Sequence, residues 1–263
     1  MKRECKLSRE AIIYALINGL KPLDFVYAFY EGGAIAFDRV DEWSDLDLYF
    51  VVDDDRVDDT FQAVEKVLES LSPIKQKYDV PQSGWPGIFQ AFYKLEEASE
   101  YLIIDLAVLQ LSCPDKLLEP EIHGNNVFHF NKNNVIKMPH LDKKAFTEKL
   151  QTRLERLQAR FDMFNGFVQK EINRDNSLEA IDLYHNLILG MLVEALRIKH
   201  NPVHYDFKMR YVHYELPSEV VERLVNLHFV KNMEDLQEKY REAKEWFLKT
   251  MSEIGGKQIA NLV

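Results

Sequence analysis

Apolar and polar positions follow two different rhythms along this chain, and the change falls near Pro139. Before it, apolar runs of strand length are separated by turn residues; beyond it, apolar residues recur at three- and four-residue steps. In the first part, residues from about Ser8 to Leu20 form a helix with Ser8 as cap. "DFVYAFY" (Asp24 to Tyr30) reads as a strand that runs into Gly32-Gly33, and a short helix is expected from Ala34 to Phe37. The run "LDLYFVV" is a buried strand that also carries Asp45 and Asp47 on its leading edge. "DDDRVDDTFQAVEKVLESL" reads as a helix whose acidic start suits the positive end of the helix dipole. "GIFQAFYKL" and "EYLIIDLAVLQL" are two strands joined as a hairpin by "EEAS".

The Asn cluster and Pro139 in "NKNNVIKMPHLD" mark a linker. After it, Phe146, Leu150, Leu154, Leu157, Phe161, Phe164 and Val168 make one apolar stripe of a helix. A second helix, about Ser177 to Lys199, is apolar all round (Leu187, Ile188, Leu189, Met191, Leu192, Val193) and belongs at the centre of a bundle. A third starts at Pro217-Ser218 and a fourth at Asn232, the last ending at Gly255-Gly256. The expectation is an α+β chain: residues 1–138 form a mixed sheet with flanking helices, and residues 139–263 an all-α helical bundle.

Composition narrows the partners. The 263 residues carry a net charge of −10, which argues against a protein that coats nucleic acid but leaves room for a nucleotide in a local pocket. Cys5 and Cys113 have no metal-ligand spacing and suggest a reducing, cytoplasmic setting. "MKRECKLSRE" does not read as a signal peptide, and no apolar run reaches the length of a membrane span.

The candidate chemistry lies in "GGAIAFDRVDEWSDLDLYFVV". Asp45 and Asp47, two apart on a strand, point to one face with Cα atoms roughly 7 Å apart. Carboxylates that close repel unless a proton or cation lies between them, and Mg²⁺ suits such oxygen ligands. The Gly32-Gly33 turn lets backbone approach a phosphate, with free amides at the following helix start. Asp105 stands alone among Ile103, Ile104, Leu106 and Val108. By itself it is as readily an edge residue, a paired core residue or a hairpin feature, taken together, as a functional carboxylate; beside Asp45 and Asp47 it reads as a third carboxylate. Trp43 and Trp85 are candidates to stack on a ring, although hairpin core is the commoner fate of such residues. "KHNPVHYDFKMRY" is either a cleft wall holding Lys208 and Arg210 or a solvated loop.

The order and spacing of Gly32-Gly33, "SDLDL" at Ser44 to Leu48 and "IIDLAVL" around Asp105 resemble the nucleotidyltransferase superfamily. The helical second part looks like that of small-molecule adenylyltransferases that modify aminoglycoside and lincosamide antibiotics. Two departures stand out: Gly33 occupies the position where serine is commonest, and "AIAFDR" leaves Arg39 as the nearest cation after the turn. The resemblance implies metal-dependent transfer of a nucleoside monophosphate, AMP from ATP, to a hydroxyl of a small acceptor such as an antibiotic. Asp45, Asp47 and Asp105 would be the catalytic and metal residues, with two Mg²⁺ ions about 3.5–4 Å apart. Gly32, Gly33, Ser44, Arg39 and Lys208 would meet the nucleotide, and Glu194 or Asp182 are further candidates for the base. Related enzymes sometimes dimerise, so a homodimer is an option. The alternatives are a protein-adenylylating enzyme of the same fold and a nucleotide-binding regulator without catalysis. Arg197 and His204 are also similar to the Arg-then-His pair of helical RNase toxins.

Overall fold

The computed structural model describes residues 7–81 and 85–255. Cys5, Gly256 and the N-terminal "MKRECK" lie outside the described residues. The chain divides into two compact units, Met1–Leu141 and Asp142–Val263.

The first unit runs α1 (Arg9–Leu20), β1 (Val26–Glu31), β2 (Leu46–Val52), α2 (Val57–Leu71), β3 (Ile74–Asp79), β4 (Ile88–Leu95), β5 (Ile104–Gln110), α3 (Pro120–His123) and β6 (Val127–Asn131). Ser8 caps α1 by accepting the Ala11 N–H, as its position requires. The strands form one mixed sheet in the order β3-β4-β5-β2-β1-β6. Its parallel pair is β2 with β5; the other pairings are antiparallel. Ile12, Leu16 and Leu20 of α1 and Val64 and Leu68 of α2 recur at helical spacing. They bury one face of the sheet against Leu46, Leu48, Phe50, Ile104, Leu106 and Val108. The intervening residues of β2 and β5 turn to the other face, where a smaller cluster of Ala28, Tyr30, Val51, Ala107 and Leu109 gathers. β3 and β6 have no counterpart in the apolar pattern. β3, "IKQKYD", is an edge strand with almost every side chain in solvent, so burial imposes no alternation on it.

The second unit is helical: α4 (Lys143–Phe164), α5 (Phe167–Asn173), α6 (Ser177–Leu183), α7 (Gly190–His200), α8 (Val212–Glu215), α9 (Ser218–His228) and α10 (Met233–Gly255). Asp142 caps α4, and the stripe is buried from Phe146 to Phe161; Phe164 is 38 % exposed and leaves it. The expected central helix is α6 and α7 joined by a π-helical stretch, Tyr184–Leu189. Asn232 caps α10 through the Asp235 N–H.

The segment after α7 is organised from inside. Arg197 is fully buried, donating to the Lys208 carbonyl at 2.6 Å, the Arg210 carbonyl and Glu215 at 2.8 Å. Glu215 also meets His204 Nδ1 at 2.9 Å, and His204 stacks on Phe207. Arg197 and His204, the pair that is similar to that of helical RNase toxins, thus hold a loop together from inside.

Candidate active site

Two strands and one turn position the three carboxylates. In the parallel β2–β5 ladder Asp47 stands directly opposite Asp105, so both project from the sheet face away from α1 and α2. Strands in such a ladder lie about 4.8 Å apart, which brings the two side chains within reach of a shared ligand. Asp45 sits one residue before β2, where the Leu46 N–H donates to the Ile103 carbonyl at 2.8 Å and ties together the starts of both strands. Its strand neighbour was expected to be Asp47 within one strand; the strand instead begins at Leu46.

Electrostatics link Asp45 to Asp105. Burial pushes the Asp105 carboxyl above its ordinary range, Gln90 holds it back through a hydrogen bond, and the Asp45 charge raises it further. The Gln90 bond, Nε2 to Asp105 Oδ1, is 2.6 Å. Partial burial likewise raises Asp45, against the Ile103 amide and the Arg9 and Lys94 cations, which favour its anion.

The turn is built around Asp47. Gly32 donates its N–H to the Asp47 carbonyl at 2.9 Å. Gly33 has φ +64°, and a Cβ added there would lie 1.8 Å from Asp47 Oδ2. A Cβ at Gly32 would meet Asn126 Oδ1 at 2.7 Å and Tyr49 Cε2 at 2.9 Å. Glycine at 33 is therefore a matter of room for a carboxylate as well as of backbone conformation. In this arrangement a serine at 33 would displace Asp47, which gives a physical reason for the departure from Gly-Ser. The expected helix after the turn is a single 3-10 turn, Ile35–Phe37, closed by Asp38 in the left-handed region. Among the described residues the Gly33 and Ala34 amides donate to no protein acceptor, while those of Ala36 and Phe37 are used within the turn.

No family model matches this chain, and no curated protein matches it. Among solved structures it is similar to an aminoglycoside 6-adenyltransferase from Bacillus subtilis at 11 % identity and a TM-score of 0.36, covering 94 % of this chain and 92 % of that one. It is also similar to a spectinomycin adenyltransferase from Enterococcus faecialis, solved with ATP and spectinomycin, at 14 % identity and a TM-score of 0.33; the match covers 95 % and 98 % of the two chains. Both of those proteins are nucleotidyltransferases.

The remaining candidates have other partners. The Ser44 hydroxyl donates to Asp41 Oδ1 at 2.7 Å and accepts the Asp41 N–H at 2.9 Å, so it serves its own loop. Arg39 places its guanidinium 5.2 Å from the Phe37 ring. Lys208 belongs to the second unit, where its carbonyl accepts from Arg197 and its side chain is exposed. Glu194 is held in a two-point ion pair by Arg153, with Nη2 to Oε2 at 2.7 Å, and Asp182 accepts from Asn186 at 2.7 Å. Those are the partners that Glu194 and Asp182 have within the bundle. Trp43 and Trp85 are 57 % and 62 % exposed, so neither is hairpin core.

Two residues that sequence reasoning missed fix the site. Arg9 donates to the Ser44 and Asp45 carbonyls at 2.7 and 2.8 Å and to Glu31 Oε1 at 2.9 Å. Glu31, the last residue of β1 and 1 % exposed, also faces His129 Nε2 at 3.4 Å, a separation without hydrogen-bond alignment. A carboxylate ending an apolar strand beside Gly32 is a signal that could have found it; its partner, 22 residues away, gave none.

The donor set suits a hard divalent cation in type: only oxygens, with Asp45 and Asp105 in mutual repulsion. Among the described residues no three His, Cys, Asp or Glu side chains are gathered closely enough to cage an ion by themselves. Mg²⁺ binds through one or two carboxylates completed by water and substrate phosphate oxygens, so the open arrangement fits that ion in its usual role beside a nucleotide.

Proposed function

We propose that this protein transfers a nucleoside monophosphate, AMP from ATP, to a hydroxyl of a small-molecule acceptor, antibiotics being the acceptor class that the sequence resemblance favours. The observation that carries the reading is the β2–β5 register, which sets Asp47 opposite Asp105 beside Asp45, with Asp47 lying over Gly33. In the reaction a bond forms between the acceptor oxygen and the α-phosphorus. The bond from that phosphorus to the bridging oxygen breaks, and pyrophosphate leaves with the electron pair. Asp45, Asp47 and Asp105 would share two Mg²⁺ ions, one or two carboxylates to each with water and phosphate oxygens completing the shells, and the ions would supply charge neutralisation for the phosphates. The Gly33 and Ala34 amides face the phosphates as neutral donors, since glycine at 33 keeps side-chain bulk out of the turn. Asp105 accepts the proton of the acceptor hydroxyl through the carboxylate oxygen not engaged by metal. Gln90 orients that carboxylate for the task.

The test is incubation with α-labelled ATP, Mg²⁺ and a pool of hydroxyl-bearing acceptors. Label on a small molecule, with pyrophosphate released, is the expected result. Label on protein alone would point to a protein-adenylylating enzyme, and binding without transfer to a regulator; either would overturn the proposal.

A further inference from the structure

Beside the carboxylates stands an aromatic pair that the transfer chemistry leaves unused. Trp43 and Tyr101 are 57 % and 51 % exposed, and their rings meet edge-to-face with centroids 4.8 Å apart. Trp43 comes from the loop entering β2 and Tyr101 from the loop entering β5, the strands that carry Asp47 and Asp105. Both aromatics therefore sit at the sheet end where Asp45 lies. Only Ser44 separates Trp43 from Asp45, a Cα span of at most about 7 Å.

The loop presenting the indole is tied down with unusual thoroughness for one that leaves a tryptophan in water. Asp41 Oδ1 accepts the Trp43 N–H at 3.0 Å and the Ser44 hydroxyl at 2.7 Å; Ser44 Oγ accepts the Asp41 N–H at 2.9 Å. Arg9 grips the Ser44 and Asp45 carbonyls. On the other side Ser99 fixes its loop by accepting the Tyr101 N–H at 3.3 Å on Oγ and the Leu102 N–H at 3.0 Å on its carbonyl. A large, rigid aromatic surface held ready at low entropic cost is the property of a stacking subsite. The charges nearby select what it takes. Asp41 and Glu42 precede Trp43 in sequence, and hydrogen bonds from Ser44 and the Trp43 amide keep the Asp41 carboxyl below its ordinary range and hence anionic. Phosphate is repelled there, whereas an uncharged planar ring is not.

We propose that Trp43 and Tyr101 form the platform on which the nucleotide base stacks while the carboxylate edge holds its phosphates. This assignment rests on the transfer reading above. The experiment compares two probes by calorimetry on the full chain, each with Mg²⁺: a non-hydrolysable ATP analogue and inorganic tripolyphosphate, which has no base. Stacking on an aromatic side chain contributes enough that its loss weakens binding about tenfold or more. Trp43→Ala and Tyr101→Ala are expected to weaken the analogue by that factor and leave tripolyphosphate within about twofold of wild type; Trp43→Phe is expected to retain most of the affinity. Because both side chains are exposed, the variants should melt with the wild-type protein. If Trp43→Ala binds the analogue as wild type does while tripolyphosphate still binds, the platform is wrong and the transfer reading stands. That outcome, with a raised KM for acceptor, would make the pair an acceptor contact. Equal loss of both probes also overturns the platform, and failure of wild type to bind either overturns the transfer reading with it.

Discussion

Replacing Gly33 by alanine asks the most of this structure for the smallest change in mass. The residue has φ +64°, a conformation that costs a residue with a Cβ about 1 kcal/mol relative to glycine. The new methyl carbon would also lie 1.8 Å from Asp47 Oδ2, 2.4 Å from its Cγ and 3.0 Å from its Cβ. Contacts under 3.0 Å are not sustained, so Asp47 must leave its rotamer, at about 0.5–1.5 kcal/mol. The sum is roughly 2 kcal/mol, or a drop of about 4–8 °C in the melting temperature of a unit of this size. The clash with the carboxylate is separable from the backbone cost. In an Asp47→Ala background the contacts with Oδ2 and Cγ vanish, and Gly33→Ala should then cost only the backbone part, leaving a coupling of about 1 kcal/mol in a double-mutant cycle. Thermal melts of the four proteins measure the cycle, and transfer from labelled ATP measures whether a displaced Asp47 still works. Additive effects, or a Gly33→Ala enzyme with wild-type melting and turnover, would refute the claim that Asp47 packs over Gly33.

Other perturbations follow from the same geometry. Asp47→Asn and Asp105→Asn should each reduce transfer by about 10²-fold or more while the protein stays folded. Asp105→Asn should also raise the melting temperature at neutral pH. The folded carboxyl titrates above the ordinary 3.8, so its ionisation opposes folding as pH rises past that value, and the advantage of the asparagine variant should close again as pH falls below it. Gln90→Leu removes the donor that favours the Asp105 anion, so the acid limb of the pH–rate profile should move to higher pH; an unmoved limb would free Asp105 from the role of base. Arg9→Met leaves the buried Glu31 carboxylate without its cation and should cost about 3 kcal/mol in denaturant melts, with a large part recovered by Glu31→Gln in the same chain.

What the sequence disclosed of this fold depended on whether burial left a periodic trace. β2 and β5 were legible because each is an apolar run of strand length, with a carboxylate in it that marked the site, and α4 because its core residues repeat from Phe146 to Phe161. β3 was not, since an edge strand with both faces wet has no pattern to show. The parallel pairing of β2 with β5 joins residues 58 apart, and nothing local encodes that register. The same limit hid Gln90, whose partner lies across a strand pair, and Arg9, whose contacts are 22 to 36 residues away. Ser44 looked available beside two aspartates, yet its hydroxyl donates to Asp41 and accepts the Asp41 N–H. Glu194 looked like an unpaired acid on an apolar helix, and Arg153, from a different helix, pairs with it.

The central claim is that Asp47 and Asp105, side by side on the sheet face away from α1 and α2, hold a metal-bound nucleotide. Calorimetric titration of the full chain with a non-hydrolysable ATP analogue, with Mg²⁺ and again with EDTA, tests it most directly when repeated on the Asp47→Asn, Asp105→Asn double variant. The account predicts Mg²⁺-dependent binding by the wild-type protein that the double variant loses. Binding of equal strength by both proteins, or binding indifferent to Mg²⁺, would contradict it.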